Sequence, residues 1–178
     1  MEFSLEYLAG IFDGEGSISI NKCNLARYKY RNPRYTARVL FGMVDERPVK
    51  EFKRRFGGYL VRRTNQGGLR PMWNWSIAGN KIVLNFLEQI MPLLVVKRAQ
   101  AELLYKYLKE RKTPYRRTNG LHPDEVLWRE SVYQNIFSLN RGTEPATTER
   151  NDPVTGCDSL NSQETVRGKA EEPSPLPN

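Results

Sequence analysis

A chain of 178 residues, 39% apolar and 11% aromatic, can bury one sizeable core and is too apolar to be disordered throughout. The net charge of +8 is uneven: Met1 to Asn140 carries 24 Lys and Arg against 13 Asp and Glu, whereas Arg141 to Asn178 carries 4 against 7. Lys22 to Trp73 alone holds 14 basic and 3 acidic residues interleaved with aromatics, the electrostatic footprint of a nucleic-acid binder, and nothing in the composition suggests a small-molecule substrate.

In chain order, Ser4 caps a helix from about Leu5, in which Leu5, Leu8, Ile11 and Phe12 recur at the spacing of one apolar face, while Ala9 and Gly10 leave a second face nearly flat. Gly14 and Gly16 end that helix and present Asp13 and Glu15 at its tip. A carboxylate is poorly placed there, because the helix dipole and the free carbonyls already concentrate negative potential. A divalent cation resolves the conflict, and hard ions such as Mg²⁺ take carboxylate and carbonyl oxygens while keeping waters.

Ser17 to Cys23 alternates as a half-buried strand, with Ile18 and Ile20 on one side and Ser19, Asn21 and Cys23 on the other. A very basic connection, Asn24 to Pro33, holds Arg27, Lys29 and Arg31. Alternation resumes from Arg34 to Val44, with Tyr35, Ala37, Val39, Phe41 and Met43 inward and Arg34, Thr36, Arg38, Leu40 and Gly42 outward. Asp45 N-caps a helix over Glu46 to Phe56 that tolerates Pro48 in its first turn, and Gly57-Gly58 ends it. Tyr59 to Thr64 and Met72 to Ala78 form a second strand pair, in which Trp73 and Trp75 share a face with Ile77 and therefore read as core, not as base-stacking platforms. Asn80 to Met91 and Leu94 to Lys112 read as helices split by Pro92.

Tyr115-Arg116-Arg117 is a basic loop, and the lone histidine, His122, stands before a helix over Pro123 to Asn140 that docks through Val126, Leu127, Val132, Ile136, Phe137 and Leu139. One imidazole excludes chemistry built on clustered histidines. The two cysteines, Cys23 and Cys157, are too few for a zinc site, and no disulfide between body and tail is expected. The expected organisation is one domain over 1–140, its core about 1–112 and a C-terminal helical part about 113–140, followed by a mostly disordered acidic tail over 141–178. The best apolar run, Ile82 to Val96, is broken by Asn85, Glu88 and Pro92, and no basic-then-apolar leader opens the chain. An intracellular protein is expected, in an organelle or a bacterial cytoplasm, neither secreted nor bound to a membrane.

Leu8-Ala9-Gly10-Ile11-Phe12-Asp13-Gly14-Glu15-Gly16 resembles the signature of the LAGLIDADG homing endonucleases, keeping its order of small, apolar and acidic positions and departing from the family's letters at four places. The resemblance implies an α+β fold, an α-β-β-α-β-β-α core with an antiparallel DNA-binding sheet plus C-terminal helices, which the element order above reproduces. A single motif copy implies a homodimer paired through Leu8, Ala9, Gly10, Phe12 and Asp13. It also implies a metal-dependent double-strand break in a long pseudo-palindromic DNA site, promoting intron mobility, with Mg²⁺ as cofactor and Mn²⁺ substituting.

By position, the resemblance makes Glu15 the metal-binding acid, helped by the Gly14 carbonyl, and leaves Asp13 mainly structural. Lys97 falls on the family's active-site lysine and Asp45 on a solvent-ordering group. Val49 falls on another such position and cannot serve it, which leaves Lys50 as a candidate. Ser162 to Arg167 resembles a short helix near the C-terminus of homodimeric members that orders on DNA.

On the sheet, strand phase makes Asn21, Arg34, Thr36, Arg38, Asn74 and Ser76 the outward base-readers, with Arg63 in either phase, and leaves Arg27, Lys29, Arg31, Arg62 and Arg70 to attract phosphates. Two alternatives stand beside cleavage: an RNA maturase assisting group I intron splicing, and a non-catalytic DNA-binding regulator. Acids at both motif positions together with Lys97 favour cleavage.

Overall fold

The computed structural model describes residues 2–23, 32–64, 70–111 and 120–142. The elements run α1 (Leu5–Glu15), β1 (Gly16–Cys23), β2 (Arg34–Met43), α2 (Glu46–Phe56), β3 (Tyr59–Arg63), β4 (Met72–Ala78), α3 (Asn80–Ile90), a 3₁₀ turn (Met91–Leu93), α4 (Arg98–Glu110) and α5 (Pro123–Arg141). The strands form one antiparallel sheet in the order β1-β2-β4-β3.

Period-two alternation decides which face closes. Ile18, Ile20, Tyr35, Ala37, Val39, Phe41, Trp75 and Ile77 are buried and point to the helices, whereas the intervening residues stay partly open. The core centres on Phe52 of α2, whose ring lies 4.5 Å from Phe41, 5.0 Å from Trp75 and 6.1 Å from Phe12 between centroids. Trp75 is fully buried, and its Nε1 donates to the Gly57 carbonyl at 2.7 Å, which confirms its assignment to the core. Trp73 lies at the margin of that core, half-buried, with Lys50 and Arg62 over its ring at 5.5 and 5.8 Å.

Local signals set most boundaries. The Ser4 hydroxyl accepts from Tyr7 N at 3.2 Å, Asp45 accepts from Arg47 N at 2.9 Å, and His122 Nδ1 accepts from Asp124 N at 3.4 Å at the start of α5. Glu130 of α5 takes Lys22 Nζ at 2.9 Å and the Tyr35 hydroxyl, tying that helix to β1 and β2.

Two expectations are corrected. The fourth helix begins at Arg98, not Leu94, because Leu94 is extended and the next three residues turn around an acid from α1. Cys23 is disulfide-bonded, where no bridge was expected; two cysteines in a chain read as intracellular gave no sign of one. Cys157 and the whole expected acidic tail lie outside the described residues, as do Arg27, Lys29, Arg31, Tyr115, Arg116, Arg117 and Ser162 to Arg167.

Candidate active site and nucleic-acid interface

No connecting residue separates α1 from β1: the helix ends at Glu15 and the strand begins at Gly16. A Cβ at Gly16 would lie 2.4 Å from the Phe12 ring, so only glycine permits this junction, and it leaves Glu15 on a rigid corner. Three of the terminal carbonyls of the helix have partners. Gly16 N donates to Phe12 O, and Lys97 Nζ donates to Asp13 O and, at 3.4 Å, to Gly14 O. A cation thus sits at the negative end of the dipole.

The two motif acids have opposite environments. Asp13 is buried and accepts from the backbone N–H groups of Val95 (2.7 Å), Val96 (2.8 Å) and Lys97 (2.8 Å). Burial alone would push its carboxyl up, but the three N–H donors and the Lys97 ammonium outweigh that and hold it below the usual aspartate range. Asp13 therefore locks the α1 tip to the start of α4 and cannot serve a metal without giving up that contact. Glu15 is exposed and has no hydrogen bond or ion pair among the described residues. An uncompensated carboxylate at a helix C-terminus is the unfavourable arrangement that the sequence presented.

Asp45 lies at the start of α2, gripped by the Arg47 side chain and backbone N–H, which hold its carboxyl at about 2. Val49 is wholly buried, and Lys50 pairs with Glu46 at 2.9 Å. Among the described residues the hydrogen bonds thus unite Asp13, Gly14 and Lys97, with Glu15 alongside, while Asp45 is held by its own helix.

The expected dimer contact needs correction. Leu8, Ala9, Phe12 and Asp13 are buried in the chain's own core, and of the five residues named only Gly10 is open. Each helical step turns 100°, so Ala9 follows Leu5, Leu8 and Phe12 inward, whereas Tyr7, Gly10 and Gly14 share the outer face. Tyr7 is 50% exposed, and a Cβ at Gly10 or Gly14 would meet nothing within 4 Å.

The outer face of the sheet carries Asn21, Arg34, Thr36, Arg38, Asn74 and Ser76, as strand phase required, and no strand contains an Asp or Glu. Register settles β3: Arg63 opposes Met72 and so lies outward, while Arg62 opposes Trp73 and turns to the helix side. Arg38 and Arg63 are close enough to repel, which, after burial, helps to lower the Arg38 pKa. Neither they nor Arg34 has an acidic partner among the described residues. Arg70 is exposed just before β4. The sequence reading placed Gly42 outward but missed Tyr59 and Val61 on this face and Tyr7 on α1.

A four-stranded antiparallel sheet with one acid-free cationic face open, closed on the other by helices whose first ends in an exposed glutamate, is the homing-endonuclease fold. The family model for LAGLIDADG endonuclease matches residues 8–108, and the chain belongs to that family. The solved homing endonuclease I-CvuI, in complex with its target in the presence of Ca, is 19% identical with a TM-score of 0.61, covering 80% of this chain and 85% of its own. The archaeal intron-encoded homing endonuclease I-Vdi141I, complexed with DNA, is 16% identical (TM-score 0.59; 84% and 89% covered), and I-TnaI is 17% identical (TM-score 0.57; 79% and 96%). No curated protein matches the chain.

Proposed function

We propose that this protein is a site-specific endonuclease that acts as a homodimer, hydrolyses both strands of a long pseudo-palindromic DNA site with Mg²⁺, for which Mn²⁺ substitutes, and so promotes the mobility of an intron. The observation that carries the reading is Glu15: an exposed carboxylate with no partner among the described residues, on a rigid helix–strand corner, beside a lysine and next to an acid-free cationic sheet.

Among the described residues no three His, Cys, Asp or Glu converge. The donors at the α1 tip fit a hard ion: the Glu15 carboxylate and the Gly14 carbonyl would hold it through oxygen. A bound Mg²⁺ supplies a water of lowered pKa and neutralises charge at the phosphorus. Lys97 contributes a positive charge at the same tip and Asp13 holds that tip in place; Asp45, bound to Arg47 at the start of α2, is assigned solvent ordering by its family position alone. The sheet holds the duplex, with its outward side chains on base edges and its arginines on phosphates.

A second copy is the natural source of a further carboxylate. Tyr7, Gly10 and Gly14 form a flat open strip of α1, and Leu93, Val95 (82% exposed) and Val96 (72% exposed) stand beside its tip. Two such apolar surfaces meeting about a two-fold axis bury one another and bring the two Glu15 tips together.

The test is plasmid and randomised-site cleavage in Mg²⁺ by the wild type and by Glu15→Gln, with filter binding to duplex DNA and to structured RNA. The expected outcome is cutting by the wild type and duplex binding without cutting by the variant. Undiminished cutting by Glu15→Gln removes the assigned role, and retention of structured RNA with no cleavage of duplex replaces this reading with the maturase.

A further inference from the structure

One row across the open sheet face has an unusual makeup. Gly42 of β2 opposes Asn74 of β4, and Asn74 opposes Val61 of β3, so three neighbouring strands present no side chain, a carboxamide and an isopropyl group. A Cβ at Gly42 would lie 2.2 Å from Asn74 Oδ1: the carboxamide lies across the space that any other residue at 42 would fill. That half-buried carboxamide has no hydrogen-bond partner among the described residues, which leaves its donor and acceptor available to a ligand. Val61 is 48% exposed beside it.

The three side positions match one base pair. Adenine offers an N7 acceptor and an N6 donor in the major groove, which a carboxamide satisfies with its own donor and acceptor, and the paired thymine offers a C5 methyl group. Directly opposed residues on one sheet face stand about 4.5–5.5 Å apart at Cβ, close enough for both side chains to reach the same pair. A G·C pair would leave Asn74 imperfectly matched and give Val61 only the C5–H of cytosine in place of a methyl.

We propose that the row Gly42, Asn74 and Val61 reads one A·T pair in each half-site: Asn74 bonds the adenine edge, Val61 packs on the thymine methyl, and Gly42 is a positioning residue that seats the carboxamide. The inference rests on the DNA reading above and adds a base identity to it. It also gives a physical reason for a glycine in mid-strand, where glycine otherwise only weakens a sheet.

The experiment is selection of bound and cleaved sites from a randomised duplex library by the wild type, Gly42→Ala, Asn74→Ala and Val61→Ser, followed by binding to the selected duplex with uracil replacing thymine. The wild type should select A·T at one position per half-site. Asn74→Ala and Gly42→Ala should each reduce that preference about tenfold there and nowhere else, as loss of a bidentate base contact does. Gly42→Ala should keep the wild-type melting temperature, since the displaced atom is the end of a flexible side chain. Uracil should weaken the wild type about threefold and leave Val61→Ser unaffected, the scale of one lost methyl contact. Preference that survives both Asn74→Ala and Gly42→Ala, or wild-type indifference to uracil, overturns the inference while leaving the nuclease standing. A library from which the wild type enriches no duplex overturns the DNA reading itself.

Discussion

Removing the Asp13 carboxylate is the sharpest probe of how the motif is built. Asp13→Ala leaves the N–H groups of Val95, Val96 and Lys97 without their acceptor and the α1 tip without its tie to α4. Hydrogen bonds to a charged group contribute about 1.5–3 kcal/mol each, so three would give about 5–9 kcal/mol if nothing replaced them. Water replaces part of that: the side chains of Val95 and Val96 are 82% and 72% exposed, and the carboxylate no longer has to be desolvated. The expected loss is therefore about 2–4 kcal/mol, a large part of a typical domain's stability, with Asp13→Asn losing about half as much because it keeps one acceptor.

The loss should also depend on pH. The folded carboxyl lies below its ordinary value, so its contribution is complete above the unfolded pKa of about 4 and disappears as pH falls through the folded one. Urea unfolding monitored by the buried Trp75 at neutral pH and near pH 3.5 measures both. A difference under about 0.5 kcal/mol at neutral pH, the scale of an inconsequential surface change, or one that does not shrink in acid, refutes the reasoning.

Gly58 has φ +87°, and a Cβ there would lie 2.5 Å from Ile77 Cγ2 and 2.6 Å from Ser76 O, so Gly58→Ala should cost about 3 kcal/mol or more by thermal or urea unfolding. Asp45→Ala removes the α2 N-cap and should lower the unfolding midpoint slightly in the same assay, by less than Gly58→Ala. Gly10→Leu meets nothing within 4 Å of its Cβ and should fold with wild-type stability or slightly better, yet abolish the proposed dimer in sedimentation. Trp75→Ala, at the fully buried centre of the aromatic cluster, should cost about 3–5 kcal/mol and broaden or abolish the unfolding transition.

What the sequence made legible is what depends on local period and local chemistry. Tyr35, Ala37, Val39 and Phe41 alternate without interruption, Asp45 is followed by a helix-tolerated proline, and Gly57-Gly58 stops α2, so those boundaries needed no tertiary information. The start of α4 was not legible, because Val95 and Val96 read as helical apolar residues and nothing nearby announces that their N–H groups serve an acid 82 positions earlier. The open side of α1 was legible in principle. Adjacent residues differ by 100°, so Ala9 and Gly10 could not share one narrow strip, and the spacing of Tyr7, Gly10 and Gly14 identified the real one. Arg62 and Arg63 had no alternation to place them in a strand of five residues, and only the pairing with β4 assigned their faces. The seat of Asn74 over Gly42 is a cross-strand fact that no one-dimensional pattern contains.

The contrast between Asp13 and Glu15 has an evolutionary consequence. Because the first acid is structural, a lineage that loses it loses a large part of the protein's stability, and selection acts against the change whatever the protein is used for. The second acid has no partner among the described residues, so under the proposed function a single substitution there would disarm the enzyme while leaving a sound scaffold for gripping nucleic acid. Descendants that no longer cut should accordingly be easy to reach and slow to decay, which makes this corner of the molecule a ready point of departure for roles that need recognition alone.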